Sequence, residues 1–256
     1  MSHQEVSSRA HNFVHAARKT HGVAREQAEL RSNLYGFFAA HFLCPPDEDF
    51  VQHLLDQAFL HELSSLFGPQ AVAQLREFTA SVRPGEDVAD LRQEYMDLFV
   101  VPSSRYVTPF EDVYRGRPAD GEAGMGRLMG ELSIALRRRY REAGAEMVRA
   151  CKQLPNHIGV ELSFMSFLCN KEAAAIENEG YASLDPGERK AADSVKYREL
   201  QIRFLQEHLN EWFPQLSRAI QARTKSSFYQ GLALITEEFL VLDTASVLAR
   251  SYARES

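Results

Sequence analysis

His157 and Glu161 stand four residues apart, so a helix presents both on one face. An imidazole and a carboxylate at that spacing can share a metal ion. Two ligands are too few, and no further His, Asp or Glu cluster stands at ligand spacing nearby. No metal and no cofactor are expected. Four of the nine histidines (His3, His11, His15, His21) lie in the N-terminal segment, away from any patterned element. Gly124 and Gly126 with Gly130 invite a nucleotide reading, but the dinucleotide fingerprint needs a preceding strand and its third glycine one position earlier. P-loop, G-x-S-x-G and H-E-x-x-H motifs are all missing. No catalytic residue is assigned.

The stretch from Glu94 to Tyr114 carries a different chemistry. It reads Glu94-Tyr95-Met96-Asp97-Leu98-Phe99-Val100-Val101-Pro102, then Thr108-Pro109-Phe110-Glu111-Asp112-Val113-Tyr114. Aromatic and acidic residues alternate across a helix end and a proline-bearing loop. Core packing with a solvated acidic face accounts for Tyr95, Leu98 and Phe99 taken alone. The functional reading is a groove with an apolar floor (Leu98, Phe99, Pro102) and an acidic rim (Glu94, Asp97, Glu111, Asp112). Such a groove suits a peptide that combines apolar residues with arginines, because carboxylates pair bidentately with guanidinium. On this reading, Leu98→Gln or Phe99→Ser weakens peptide binding without unfolding the chain.

Helices must position these residues. Leu30, Leu34, Phe37, Phe38 and His41 follow one helix face up to Pro45-Pro46. A second stripe runs from Val51 to Leu66 and stops at Gly68-Pro69. Further helices are predicted over 70–81, from Val88 to Phe99, from Leu128 to Tyr140 and from Pro155 through Cys169. Another runs from Ile202 to Trp212 and stops before Pro214. The last runs from Phe228 to Ser246. Pro155 suits a first helical turn, where its missing N–H would be unpaired anyway. No segment alternates with β-branched enrichment. The expectation is all-α: a single-domain helical bundle over residues 26–252 behind a flexible tail over residues 1–25. Breaks fall at Pro102–Gly126 and Gly180–Arg189.

The 256 residues carry a net charge of −6, with 25% charged and 45% apolar residues. This is ordinary globular composition and excludes disorder and low complexity. An acidic balance argues against nucleic acid, even with the run Arg137-Arg138-Arg139. No apolar run approaches the roughly 20 residues of a membrane span, nor does the N-terminus read as a signal peptide. Cys44, Cys151 and Cys169 form no C-x-x-C pair. Isolated thiols suit a reducing, cytoplasmic setting.

The E-Y-x-x-L-F-x-x-P stretch followed by P-F-E-D-V-Y-R resembles the TorD/DmsD/NarJ family of cytoplasmic redox-enzyme maturation chaperones. Leu154-Pro155-Asn156-His157-Ile158-Gly159-Val160-Glu161-Leu162 is similar to its L-P-D-H-x-x-x-E-L signature. Phe204-Leu205-Gln206-Glu207-His208-Leu209 with Trp212 is similar to its F-L-x-x-H-L-x-x-W segment, and Phe228-Tyr229 also fits. The resemblance spans residues 27–250.

It implies an all-helical, TorD-like bundle that is not an enzyme. It implies a partner: the immature catalytic subunit of a molybdopterin-dependent oxidoreductase, met through its twin-arginine signal peptide. The chaperone would assist cofactor insertion, assembly and export, as a monomer or a dimer. The recognition region maps onto Tyr95, Leu98, Phe99 and Pro102, and onto Pro155, Asn156 and His157, with Tyr114 and Glu161 adjoining. One departure stands out: the family commonly has an aspartate where this chain has Asn156. The rival readings are a helical interaction module unrelated to redox enzymes, and a small metal-dependent hydrolase using His157 and Glu161.

Overall fold

The computed structural model describes the backbone of residues 3–82, 87–115, 130–147, 152–182 and 193–252, with side chains from residue 22 on except at 53, 87, 180–182 and 252. Gly124, Gly126, Leu128, Cys151 and the break at 183–189 lie outside the described residues. The expected tail over residues 1–25 falls mostly on undescribed side chains, and the backbone from His3 continues the first helix.

Eleven α-helices follow one another among the described residues, with no strand: α1 (His3–Leu43), α2 (Glu48–Leu54), α3 (Gln57–Ala71), α4 (Ala73–Ser81), α5 (Asp87–Phe99), α6 (Glu111–Arg115), α7 (Glu131–Glu142), α8 (Ile158–Ala182), α9 (Asp193–Phe204), α10 (Asn210–Arg223) and α11 (Ser227–Tyr252). A single π turn, Leu205–Leu209, joins α9 to α10. The all-α bundle expected from periodicity is the fold.

α1 and α8 pair along their length, α9 packs on α8, and α11 packs on α10, α3 and α4. Small residues allow the α1–α8 approach. A Cβ added at Gly159 would sit 2.5 Å from the Leu43 side chain and 3.1 Å from the Ala39 carbonyl. Ser32 and Ser166 exchange hydrogen bonds across the same seam. The core holds Phe38, Phe42, Leu98, Leu162, Met165, Trp212, Phe213 and Tyr229.

A buried ion network ties α1, α8, α9 and α11 together. Arg31 of α1 pairs with Asp243 of α11, with Nη2 at 2.9 Å from Oδ2, and with Glu172 of α8 at 3.2 Å. Glu172 also accepts from Arg198 and Gln201 of α9. Tyr35 donates its hydroxyl to Asp243 at 2.6 Å. Arg31, Glu172, Arg198 and Asp243 are each paired and hydrogen-bonded, the condition for burying ions, while the Arg250 guanidinium beside them has Nε and Nη2 buried without a partner among the described residues.

Several helix ends differ from the periodicity reading. The Val51–Leu66 stripe divides at Asp56, whose carboxylate accepts the Ala58 N–H and caps α3. Gly68, at φ 81°, turns the chain sharply, and α3 resumes through Pro69 to Ala71. Pro214 does not end a helix; it sits in α10 just after the π turn, where the regular ladder is already interrupted. The helix expected from Ile202 begins at Asp193. The break after Pro102 contains α6.

Candidate functional site

Two of the sequence segments meet in space. Ile158 donates its N–H to the Pro109 carbonyl at 3.0 Å, and Glu111 donates its own to the Asn156 carbonyl at 3.0 Å. Phe110 and His157 thus form a short antiparallel bridge, their rings 5.2 Å apart. The bridge fixes the entry of α8 against the start of α6. Tyr140 of α7 braces the same turn through a hydroxyl bond to the Pro155 carbonyl at 2.7 Å.

Side chains extend this contact into a buried polar network. Asn156 donates its amide to Asp112 at 2.8 Å and accepts from Ser133 at 3.0 Å. Glu111 accepts from His208 Nδ1 at 3.0 Å and from Arg115 at 2.7 Å. Trp212 donates its indole N–H to Glu161 at 3.0 Å, while its ring stacks on Tyr114. The π turn carries His208 into this position, and Phe204 stacks on its ring.

The two glutamates differ in charge. Burial works to raise the Glu111 carboxyl, but His208 and then Arg115 outweigh it and hold it below the usual carboxylate range. Burial pushes Glu161 well above that range, and the adjacent Glu111 carboxylate pushes it further. Glu161 Oε1 receives no donor among the described residues. A proton on Glu161 turns that opposition of two acceptors into a hydrogen bond to Glu111. Burial lowers His157 to about 4, so its ring is neutral, with Nδ1 accepting the Gly159 N–H at 3.0 Å. His157 and Glu161 are therefore occupied internally. Among the described residues no group of three or more His, Cys, Asp or Glu is arranged to hold a metal.

The structure corrects the groove expected from the sequence. Tyr95, Leu98 and Phe99 are core residues, with Leu98 at 0% exposure, and form no open floor. Phe99 packs edge-on against Phe42 and Tyr229. Pro155, Asn156, His157 and Glu161 are buried too. Glu111 and Asp112 sit inside the polar network rather than on a rim. Only Pro102 is exposed, and Asp97 and Tyr114 are half-buried. The reason is common to all: residues on the inward face of each element are covered by elements distant in sequence.

A smaller accessible feature remains at the end of α5. Val100 and Val101 are 47% and 45% exposed and lead into Pro102. Beside them, Arg105 Nη1 pairs with Glu94 Oε2 at 2.6 Å, and Nη2 pairs with Asp97 Oδ2. Glu94 is otherwise buried, its Oε1 accepting the Thr224 hydroxyl at 2.8 Å and the Lys225 N–H at 2.7 Å. The sequence contained Arg105, yet nothing local marked it as the counter-ion. Elsewhere, Leu43, Tyr140, Met147, Val160, Phe164 and Phe167 line an apolar cavity of about 340 Å³ with Glu146 at its edge. The sequence reading missed it, because its walls come from α1, α7, α8 and the 143–147 turn.

The fold and site define an all-helical protein whose signature side chains lock the bundle together, with an apolar turn beside an ion pair among its accessible features. Residues 67–218 match the nitrate reductase delta subunit family, and the chain belongs to it. This is the TorD/DmsD/NarJ grouping that the motifs resemble. A chaperone protein TorD from Colwellia psychrerythraea is 21% identical over 259 aligned residues, covering 92% of this chain and 99% of that protein. A selenate reductase assembly chaperone protein from Thauera selenatis is 28% identical over 99 residues, covering 39% of this chain and 45% of that one.

Proposed function

We propose that the chain is an assembly chaperone for the catalytic subunit of a molybdopterin-dependent oxidoreductase. It captures the twin-arginine leader of the immature subunit reversibly, in the cytoplasm, and holds back export while cofactor insertion and assembly proceed. The relatives named as a TorD chaperone and a selenate reductase assembly chaperone support this reading. No helix among the described residues is long and apolar enough to cross a membrane.

The observation that carries the peptide-capture reading is the turn Val100–Val101–Pro102 beside Glu94 and Asp97. Apolar leader residues pack on the turn and supply most of the affinity, at about 25 cal/mol per Å² buried. The arginines meet carboxylates at a partly exposed edge, where ion pairs set specificity and on-rate more than affinity. No covalent step is involved.

Calorimetry of the full chain with a synthetic twin-arginine leader tests this. Saturable one-to-one binding, weakened by Val101→Ser and unaffected in fold, is the expected result. Absence of binding, together with no molybdoenzyme subunit co-purifying from the native host, refutes it in favour of an unrelated interaction module.

A further inference from the structure

We infer that Arg105 is an internal stand-in for the client's arginine: it occupies a preformed guanidinium seat in the free chain and leaves when a leader arginine enters. The inference rests on the peptide-capture reading and adds its regulation.

The seat is built, not merely acidic. Each carboxylate is anchored through one oxygen and presents the other. Glu94 Oε1 is fixed by the Thr224 hydroxyl and the Lys225 N–H, which leaves Oε2 aimed at Arg105. Asp97 Oδ1 accepts from Gln93 at 2.8 Å, which leaves Oδ2 aimed at the other guanidinium nitrogen. Glu94 and Asp97 lie three residues apart on one face of α5, so a planar fork spans both. When Arg105 withdraws, both carboxylates keep their outer anchors and stay in place.

Arg105 itself is free to withdraw. Its loop is held behind by Val107, whose N–H bonds the Leu98 carbonyl at 2.7 Å. Its own N–H bonds only the Ser103 hydroxyl, at 3.2 Å, within the same turn. Residues 102–104 are exposed. The Arg105 side chain is itself partly exposed, and Glu94 keeps its bonds to Thr224 and Lys225 without it. Partly exposed ion pairs contribute little to stability, so exchanging one guanidinium for another is nearly neutral. An ammonium group cannot span both oxygens in the same way, so the exchange selects arginine over lysine. The same occupancy keeps both carboxylates paired beside an apolar turn until a client arrives.

The test is calorimetry of the full chain with two synthetic leaders, one with an Arg-Arg pair before its apolar segment and one with Lys-Lys instead. Arg105→Ala is expected to bind the Arg-Arg peptide about three- to tenfold tighter than wild type and to leave Lys-Lys binding unchanged. Asp97→Asn, which leaves Arg105 on Glu94, is expected to weaken Arg-Arg binding severalfold. Circular dichroism melts confirm that both variants are folded. Wild-type binding with no gain in Arg105→Ala overturns the stand-in role alone. Equal changes for both peptides also overturn it. Failure of wild type and Arg105→Ala alike to bind either peptide overturns the peptide-capture reading itself.

Discussion

Asn156 donates its side-chain amide to Asp112 at 2.8 Å, inside the bundle and 44 residues away in sequence. This bond joins the P-F-E-D segment to the L-P-N-H segment, and it explains why an asparagine stands at 156. Burial, and then the neighbouring Glu111, already raise the Asp112 carboxyl above its usual range. A second carboxylate at 156 would face the first without a donor between them. Asn156→Asp is therefore expected to destabilise the chain at pH 7 by about 1–3 kcal/mol. The deficit should shrink as pH falls and the pair takes up a proton. Asn156→Asp with Asp112→Asn restores an amide–carboxylate bond in reverse and should recover most of the loss. Urea unfolding of the three variants measures this; an additive double variant would contradict it.

Leu98 and Val101 separate packing from binding. Leu98 is fully buried and Val101 is 45% exposed. Leu98→Ala should cost about 2–5 kcal/mol of stability, as large-to-small core changes do. Val101→Ser should change stability by no more than about 0.5 kcal/mol, yet weaken leader binding severalfold. Thermal melts and calorimetry on the same preparations check both halves.

Glu161 carries a proton that the unfolded chain gives up. Its folded pKa lies well above the ordinary carboxylate value because of burial and the Glu111 charge. Between those two values the folded state holds the extra proton, so this group's contribution falls as pH rises. Glu161→Gln mimics the protonated acid, keeps an acceptor for Trp212 and offers a donor to Glu111. Its stability relative to wild type should increase as pH rises above the ordinary carboxylate value. A difference independent of pH would show that Glu161 is not protonated in the fold.

His157 acts in the opposite direction. Burial lowers it to about 4, as it does His41. The unfolded chain binds protons on both from about pH 6.5 downward, while the folded chain does not until near 4. Stability is therefore full above that window and falls as pH drops through it, by roughly 3 kcal/mol per histidine at most. His157→Gln should lose less stability than wild type between pH 7 and pH 4.5. Equal losses in urea titrations at the two pH values would contradict a buried neutral ring.

Much of the fold was legible because helix formation leaves a local record. The stripes ending at His41, Phe99 and Tyr140 each sit in a helix close to the predicted position. Pro214 was misread for a local reason too: proline usually ends a helix, and only the π turn before it makes the position tolerable. Glu111 and Asp112 were placed on the acidic rim on a base expectation, since carboxylates are normally solvated, yet both are buried. Glu111 is buried because His208, 97 residues on, supplies its donor. No spacing rule in the sequence encodes that pairing.

The sequence by itself determined the all-helical class, the approximate places of most of the longer helices and the four family segments, since periodicity, proline breaks and motif order are properties of neighbouring residues. Only the tertiary structure decided which motif residues face inward. Burial depends on what packs across an element, and the covering residues of Leu98, Glu111 and Asn156 come from distant helices. Most of the signature thus became internal bracing, with His157 and Glu161 holding the bundle's polar interior. Tertiary packing alone likewise left Val100 and Val101 in solvent and set Arg105 across Glu94 and Asp97.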